Sequence, residues 1–139
     1  MKVKIRIFEP GYDKREFYGI MGDPLTMPQV RKELPYLSNT PDTVWFLAFV
    51  GDTLAGFAAL APGKSSVALR NLYVFPEYRG NKISRKLLDA WIKYAGRYAL
   101  PIVAAVTTAG MQTAYRAYQA LGFVETRRTK NYVFLRREP

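Results

Sequence analysis

The sequence predicts a single α/β domain that contains about seven strands and about four helices. Two observations carry this prediction. Apolar residues recur at every second position in some segments and at every third or fourth position in others, which are the periods of strands and helices. The 139 residues also contain no repeat, linker or low-complexity tract at which the chain would divide, so one domain is expected to cover residues 1–139.

The chain begins with a predicted strand that is followed by two short helices. Apolar and charged residues alternate over Val3–Ile7, which indicates a strand. Asp13 can cap a helix that runs to about Ile20, and Asp23–Pro24 is predicted to turn the chain. Thr26 can then cap a second short helix.

The remaining elements are separated by turns rich in glycine and proline. Runs of apolar and β-branched residues indicate strands, and apolar residues at helical spacing indicate two further helices. The predicted strands are Thr43–Val50, Thr53–Leu60, Ser66–Phe75, Ile102–Thr107, Phe123–Arg127 and Tyr132–Arg136. The predicted helices are Asn81–Tyr98 and Met111–Leu121, and the second of these follows a break at Ala109–Gly110.

The composition excludes several kinds of chemistry. The chain has no cysteine and no histidine, so we expect no disulfide, no thiol nucleophile, no Ser-His-Asp site and no metal site. No apolar run approaches the roughly 20 residues of a membrane span, and the charged alternation at the N-terminus is unlike a signal peptide. We therefore expect a cytoplasmic protein with no membrane contact.

The chain carries a large positive charge. Its 21 Lys and Arg residues and 11 Asp and Glu residues give a formal net charge of +10. Such an excess can reflect ordinary surface lysines and arginines, or it can serve an anionic partner such as a phosphate-bearing cofactor or a nucleic acid. The composition leaves both interpretations open.

One segment combines a strand, a tight turn and a helix with clustered positive charge. The strand ends before Pro76, the turn contains Gly80, and apolar residues recur at helical spacing from Ile83. A helix N-terminus that follows such a turn presents free N–H groups, which bind anions. The positive side chains around it are those of Arg79, Lys82, Arg85 and Lys86. The predicted ligand is a phosphate or pyrophosphate.

This segment and the order of the elements resemble the GCN5-related N-acetyltransferases, the GNAT family. The acetyl-CoA signature of that family is Arg or Gln, two residues, Gly, one residue, then Gly or Ala. It matches Arg79–Ser84 here, after the typical stretch Val74–Tyr78. A second signature, Ala-x-x-x-Tyr-x-x-x-Gly-Phe, matches Ala114, Tyr118, Gly122 and Phe123.

The resemblance implies a mixed sheet that splays apart between its fourth and fifth strands, where acetyl-CoA binds. It also implies direct transfer of the acetyl group to an amine, with Tyr118 as the general acid and the N–H near Val74 polarising the thioester carbonyl. The cofactor-binding residues that it implies are Leu72, Tyr73, Val74, Tyr78, Arg79, Gly80, Asn81, Lys82, Ile83, Ser84 and Arg85.

Two positions of the first signature depart from the family pattern. Lys82 stands at a glycine position and Ser84 at the last small residue. Either Lys82 supplies an ammonium and Ser84 a hydroxyl to a phosphate, or the cofactor site is weakened or repurposed. Tyr118 likewise has an alternative interpretation as an aromatic residue of the core.

The general base is not identified by the sequence. The fourth strand has no carboxylate where many family members carry a glutamate, and the remaining candidates are Glu33, Asp42, Glu77 or a water relay. Tyr36, Leu37, Trp45 and Phe46 could line either an acceptor pocket or a core.

The acceptor is also left open, as is the choice between a monomer and a homodimer. One hypothesis is an amine of a small molecule or protein. A second is an amine of a nucleic acid, namely a base, a tRNA or an aminoacyl-tRNA. The net charge and the missing base favour the second hypothesis, as does a faint similarity of Arg70 and Asn81–Ser84 to phage Mom-type DNA-modification proteins. The C-terminal basic residues that would serve it are Arg127, Arg128, Lys130, Arg136 and Arg137. A third hypothesis is an inactive GNAT-like binding module.

Overall fold

Seven strands and four α-helices make up the part of the chain that the structure describes. The computed structural model describes residues 2–108 and 111–139, and only the backbone of residues 111–113. The strands are β1 (Val3–Phe8), β2 (Val44–Val50), β3 (Thr53–Pro62), β4 (Val67–Val74), β5 (Ile102–Thr107), β6 (Val124–Arg128) and β7 (Tyr132–Arg137). The helices are α1 (Lys14–Thr26), α2 (Pro28–Glu33), α3 (Ile83–Ala95) and α4 (Met111–Ala120).

The strands form one mixed sheet in the order β1-β2-β3-β4-β5-β7-β6. Neighbouring strands are antiparallel except for β4 and β5, which are parallel and pair only at Val67 with Ile102 and at Ala68 with Val103. Beyond these two pairs the strands diverge. The predicted α/β fold is therefore confirmed, with its mixed sheet open between the fourth and fifth strands and flanked by four helices.

The sheet buries a separate apolar cluster on each of its faces. On one face, α3 packs Leu87, Leu88 and Trp91 against the sheet, and the Trp91 indole N–H donates to the Ala59 carbonyl at 2.9 Å. On the other face, Phe17 and Met21 of α1 pack against the sheet. Trp45 and Phe46 are fully buried in these clusters, so both are core residues and neither is part of a pocket.

A β-bulge interrupts β4 at the opening of the sheet. Phe57 of β3 is opposite Tyr73 and Ala59 is opposite Arg70, so one residue of β3 faces two of β4. Asn71 lies in the bulge with a left-handed backbone, φ 56, which asparagine tolerates better than most residues. The extra residue reverses the alternation of β4. Each side chain after the bulge therefore lies on the face of the sheet opposite to the one that a regular strand would give it.

The first helix is longer than predicted. Pro24 does not turn the chain but lies inside α1, because Phe17, Met21 and Pro24 form one buried stripe and their burial outweighs the lost backbone hydrogen bond. Asp13 caps α1 as predicted, by accepting from the N–H of Arg15 and Glu16. Thr26 does not cap the second helix, since its hydroxyl donates back to α1 at the Asp23 carbonyl, 3.1 Å away.

The other boundaries differ by a few residues. Helix α3 begins at Ile83 because Lys82 has a left-handed backbone, and it ends at Ala95 in a single 3₁₀ turn over Gly96–Tyr98. The predicted break at Ala109–Gly110 lies outside the described residues. No helix in the described ranges is long and apolar enough to cross a bilayer.

We predict that Gly56→Ala destabilises the protein. A Cβ atom at Gly56 would lie 2.6 Å from the Tyr73 carbonyl oxygen, and overpacking of this kind costs about 1–3 kcal/mol. Urea denaturation measures the change in the free energy of unfolding. The matched control is Gly22→Ala in α1, where an added Cβ meets no atom within 4 Å and helix propensity should raise stability by about 0.5–1 kcal/mol. Equal stability of the two variants would contradict the prediction.

Candidate active site

Two cavities open where β4 and β5 diverge. The first, which we call the β5 cavity, measures about 580 Å³ and lies between β4, β5, β7 and residues 33–37. The second, the α3 cavity, measures about 550 Å³ and lies between the end of β4, residues 78–84, α3 and α4. Five described residues line both cavities: Glu33, Leu34, Leu72, Ala114 and Tyr118. The two spaces therefore meet at the gap in the sheet.

The structure brings most of the predicted cofactor-binding residues together around the α3 cavity. Those that line it are Leu72, Tyr73, Val74, Tyr78, Arg79, Gly80, Lys82, Ile83 and Ser84. Asn81 and Arg85 do not line it. The Asn81 amide donates to the Tyr78 carbonyl at 3.3 Å, and Arg85 pairs with Asp89 at 3.0 Å.

The N-terminus of α3 faces this cavity. No side chain caps the helix, so its first N–H groups have no partner within it and carry partial positive charge. Lys82 precedes the helix with φ 61 and ψ 22, a left-handed conformation that costs a residue with a Cβ about 1–2 kcal/mol. The turn thus keeps a geometry that suits the glycine of the signature, although lysine occupies the position.

The edge of β4 that faces the gap has backbone groups without a strand partner. The Phe75 N–H donates to the Ala55 carbonyl on β3 at 2.9 Å. Because successive residues of an extended strand point their backbone groups to opposite sides, the N–H and carbonyl of Val74 point away from β3. The Val74 carbonyl accepts a hydrogen bond from Arg79 Nε at 2.8 Å.

Arg79 connects the turn before α3 to the end of α2. One guanidinium nitrogen donates to both carboxylate oxygens of Glu33, at 3.0 and 3.1 Å. The guanidinium also lies 5.3 Å from the centre of the Tyr73 ring, and the Tyr73 hydroxyl donates to Glu33 at 3.3 Å. Much of the charge of Arg79 is therefore compensated within the protein.

The three candidate general bases differ in their surroundings. Burial by itself raises the pKa of Glu33, but hydrogen bonds from Gln29 and Arg79 outweigh it and hold the pKa below its ordinary value. A paired carboxylate with a lowered pKa is a weak base. Asp42 accepts from the Thr40 hydroxyl at 2.6 Å, Glu77 is exposed, and neither lines either cavity.

Tyr118 belongs both to the core and to the two cavities. Its ring packs at 5.2 Å from that of Phe123, and the residue is 4% exposed. Its hydroxyl forms no hydrogen bond within the described residues, yet no fully buried side-chain oxygen among them lacks a partner. The oxygen must therefore be reachable from the cavities. Burial raises the pKa of Tyr118 above its ordinary value, so the hydroxyl keeps its proton at neutral pH.

The neighbouring Tyr115 is distinguished from Tyr118 by its contacts. The Tyr115 hydroxyl donates to the Glu125 carboxylate at 3.0 Å, and Glu125 also pairs with Arg128 at 2.7 Å. Tyr115 lines neither cavity. Of these two tyrosines of α4, only Tyr118 therefore presents its hydroxyl to the gap in the sheet.

The chain matches the Acetyltransferase (GNAT) family over residues 12–123. It is a member of the GNAT family. The matched region includes both signatures, the five residues that line both cavities, and the opening of the sheet. A search of curated protein sequences finds no significant match to this GNAT protein.

Solved structures of other acetyltransferases share the whole fold. Escherichia coli ElaA has a TM-score of 0.77 at 16% identity, with 99% of this chain and 100% of that chain covered. The PaiA N-acetyltransferase from Thermoplasma acidophilum, solved in complex with coenzyme A, has a TM-score of 0.70 at 19% identity, with both chains covered completely at 100%. The ribosomal-protein-S18-alanine N-acetyltransferase from Escherichia coli has a TM-score of 0.70 at 15% identity, with 96% of this chain and 93% of that chain covered.

Sequence analysis identified the α3 cavity better than the β5 cavity. The α3 cavity is formed largely by one continuous segment that carries a signature. Tyr132 and Phe134 of the β5 cavity carried no such signal, because β7 reaches this site only by inserting between β5 and β6. The sequence did not decide whether Tyr36 and Leu37 line a pocket or belong to the core. Both line the β5 cavity.

We predict that glycine is more stable than alanine at position 82 of this GNAT protein. Both Lys82→Gly and Lys82→Ala remove the ammonium, but only glycine relieves the left-handed strain at φ 61. We expect Lys82→Gly to exceed Lys82→Ala by up to about 1 kcal/mol in the free energy of unfolding. Chemical denaturation of the two variants checks this, and greater stability of the alanine variant would refute the left-handed geometry.

Proposed function

We propose that this protein is an N-acetyltransferase that moves an acetyl group from acetyl-CoA to an amine that enters the β5 cavity. The observation that carries the proposal is the meeting of the two cavities at Leu72 and Tyr118. One cavity offers groups suited to a nucleotide cofactor, and the other offers an aromatic and apolar space for an acceptor. The buried hydroxyl of Tyr118 lies where they join.

The α3 cavity has the groups that coenzyme A requires. The N-terminus of α3 and the Lys82 ammonium would hold the pyrophosphate. The edge of β4 that borders the gap, around Leu72–Val74, would pair with the pantetheine amides, as an added strand pairs with a sheet. Acetyl-CoA, when bound, supplies an acetyl group activated as a thioester.

Two groups of this chain would assist the transfer. The Val74 N–H, which points into the gap, would donate to the carbonyl oxygen on which negative charge develops. The Tyr118 hydroxyl would hold its proton while the acceptor amine attacks and would then donate it to the leaving sulfur. The raised pKa of Tyr118 supports the role of a proton donor, because the hydroxyl stays protonated in its buried setting.

No free carboxylate among the described lining residues would deprotonate the acceptor. Glu33 is the single acidic residue of either lining, and it is paired with Arg79. The acceptor amine would therefore enter neutral or lose its proton to water. We expect the rate to rise with pH as the free amine deprotonates.

The described contacts favour this proposal over transfer to a nucleic acid. Of the five basic C-terminal residues, Arg128 pairs with Glu125 and Arg136 with Glu138. Arg137 donates to the Leu121 carbonyl, and Arg127 lies over the Phe134 ring. Four of the five therefore have partners within the chain that explain their positions without an anionic polymer.

Calorimetric titration with acetyl-CoA tests whether the α3 cavity binds the cofactor. We expect saturable binding by the wild-type protein. Lys82→Ala should bind about two- to fivefold more weakly, since an exposed charge contributes at most about 1 kcal/mol. The control is Lys93→Ala, which removes a charge on α3 outside both cavities. No binding at millimolar acetyl-CoA would overturn the proposed function and favour the inactive binding module.

We predict that Tyr118→Phe lowers turnover by about a hundredfold or more with little change in acetyl-CoA affinity, because general acid catalysis contributes about this much. The variant keeps the ring that packs on Phe123. Steady-state kinetics with labelled acetyl-CoA, in a screen of amine acceptors, provides the measurement. Tyr115→Phe is the matched control and should keep wild-type turnover. Wild-type turnover of Tyr118→Phe would show that the residue serves packing alone.

A further inference from the structure

The β5 cavity contains one positive charge without a described partner. Its lining residues include two charged side chains, Glu33 and Arg70. Glu33 accepts hydrogen bonds from Arg79, Gln29 and Tyr73, so its charge is compensated. Arg70 is exposed and forms no hydrogen bond or ion pair with the described residues. The guanidinium of Arg70 is therefore available to bind an anion in this cavity.

The regular alternation of β4 before the bulge determines the side of the sheet on which Arg70 lies. Val67 and Leu69 point into the cluster beneath α3, so the intervening alternation directs Arg70 to the opposite face. Residues 34–37 line the cavity from that face, and the Asn71 amide donates to the Ser38 carbonyl just beyond them at 3.1 Å. Arg31 is held in the same region by the Leu37 carbonyl at 3.0 Å. Its charge is thus fixed to the backbone, whereas that of Arg70 is available to the cavity.

The rest of the cavity wall suits an apolar body. It includes Leu34, Leu37, Val106 and Phe134. Tyr36 and Tyr132 approach each other from residues 34–37 and from β7, with ring centres 6.1 Å apart. The neighbouring Tyr36 contributes to the raised pKa of Tyr132. The tyrosine pair borders the space without adding a charge.

We propose that Arg70 binds the carboxylate of the acceptor, so that the enzyme acetylates small amino acids with an apolar side chain. This inference rests on the proposed acetyl transfer. Arg70, Leu72 and Tyr118 line the same β5 cavity, and Leu72 and Tyr118 also line the α3 cavity. A carboxylate bound by Arg70 would therefore keep the amine of the same molecule in the space that opens toward the acyl donor. One guanidinium in an apolar wall matches the single charge of a carboxylate better than a phosphate dianion, which needs more donors.

The reaction balances with acetyl-CoA as the acyl donor. The amine nitrogen forms a bond to the acetyl carbon as the carbon–sulfur bond breaks. One proton leaves the nitrogen for solvent, the sulfur receives a proton from Tyr118, and Tyr118 then takes a proton back from solvent. The products are the N-acetylamino acid and coenzyme A, and Arg70 takes no part in the bond changes. Arg70 is a specificity residue rather than a catalytic one.

The test compares two series of acceptors whose members differ only in the carboxylate. One series is leucine, leucinamide and isoamylamine, and the other is the corresponding phenylalanine series. Phosphoethanolamine serves separately as the phosphate probe. With rates expressed per deprotonated amine, we expect kcat/KM for the amino acids to exceed that for the amides and amines by about tenfold to a hundredfold. Arg70→Gln should abolish this preference mainly through KM and leave calorimetric acetyl-CoA binding unchanged. The control Arg15→Gln, on α1 outside both cavities, should keep it.

Each result has a distinct meaning. Amides and amines acetylated as well as the amino acids, or a preference that survives Arg70→Gln, would overturn the role of Arg70 while leaving acetyl transfer in place. Faster acetylation of phosphoethanolamine than of the amino acids would overturn the carboxylate assignment. If acetyl-CoA does not bind, or if no amine of any series is acetylated, the proposed function fails and the Arg70 inference fails with it.

Discussion

The short parallel pairing of β4 with β5 is the constraint on which the rest of the site depends. Only two residue pairs join these strands, and the strands then separate while β3 and β7 hold their outer edges. Backbone groups at an open edge inside a protein need partners. A gap of this kind persists because its edge borders two cavities rather than packed side chains, and it leaves Val74 with groups to offer a ligand.

The bulge at Asn71 and the network around Arg79 connect the two sides of this gap. The bulge reverses the alternation of β4, so Arg70 and Tyr73 lie on the face covered by the segment after α2, whereas Leu72 and Val74 pack with the α3 cluster. Glu33 at the end of α2 binds Arg79 in the turn before α3. The walls of the β5 cavity and of the α3 cavity are thus joined by one exposed ion pair and one strand.

The sequence predicted the order of the elements and the segment that lines the α3 cavity because both depend on local patterns. Alternation, helical spacing and turn residues marked all seven strands and four helices, and the signature at Arg79–Ser84 marked the α3 cavity. It did not predict that α1 would continue through Pro24, since the burial of that proline is a tertiary effect. The β5 cavity was also beyond local patterns. Arg70, Tyr36 and Tyr132 line it together only because of the strand order and the path of residues 34–37.

The engagement of Arg79 gives a physical reason for the lysine at position 82. An arginine that is bound to Glu33 and to the Val74 carbonyl has less of its charge to offer an anion in the α3 cavity. The helix N-terminus supplies partial charge there, but Arg85 is paired with Asp89 and does not line the cavity. Lys82 is the remaining full positive charge of that lining. The left-handed lysine costs about 1–2 kcal/mol of strain, but it supplies an exposed ammonium next to the N-terminus of α3. A glycine there would relieve the strain but leave the cavity without an uncompensated side-chain cation.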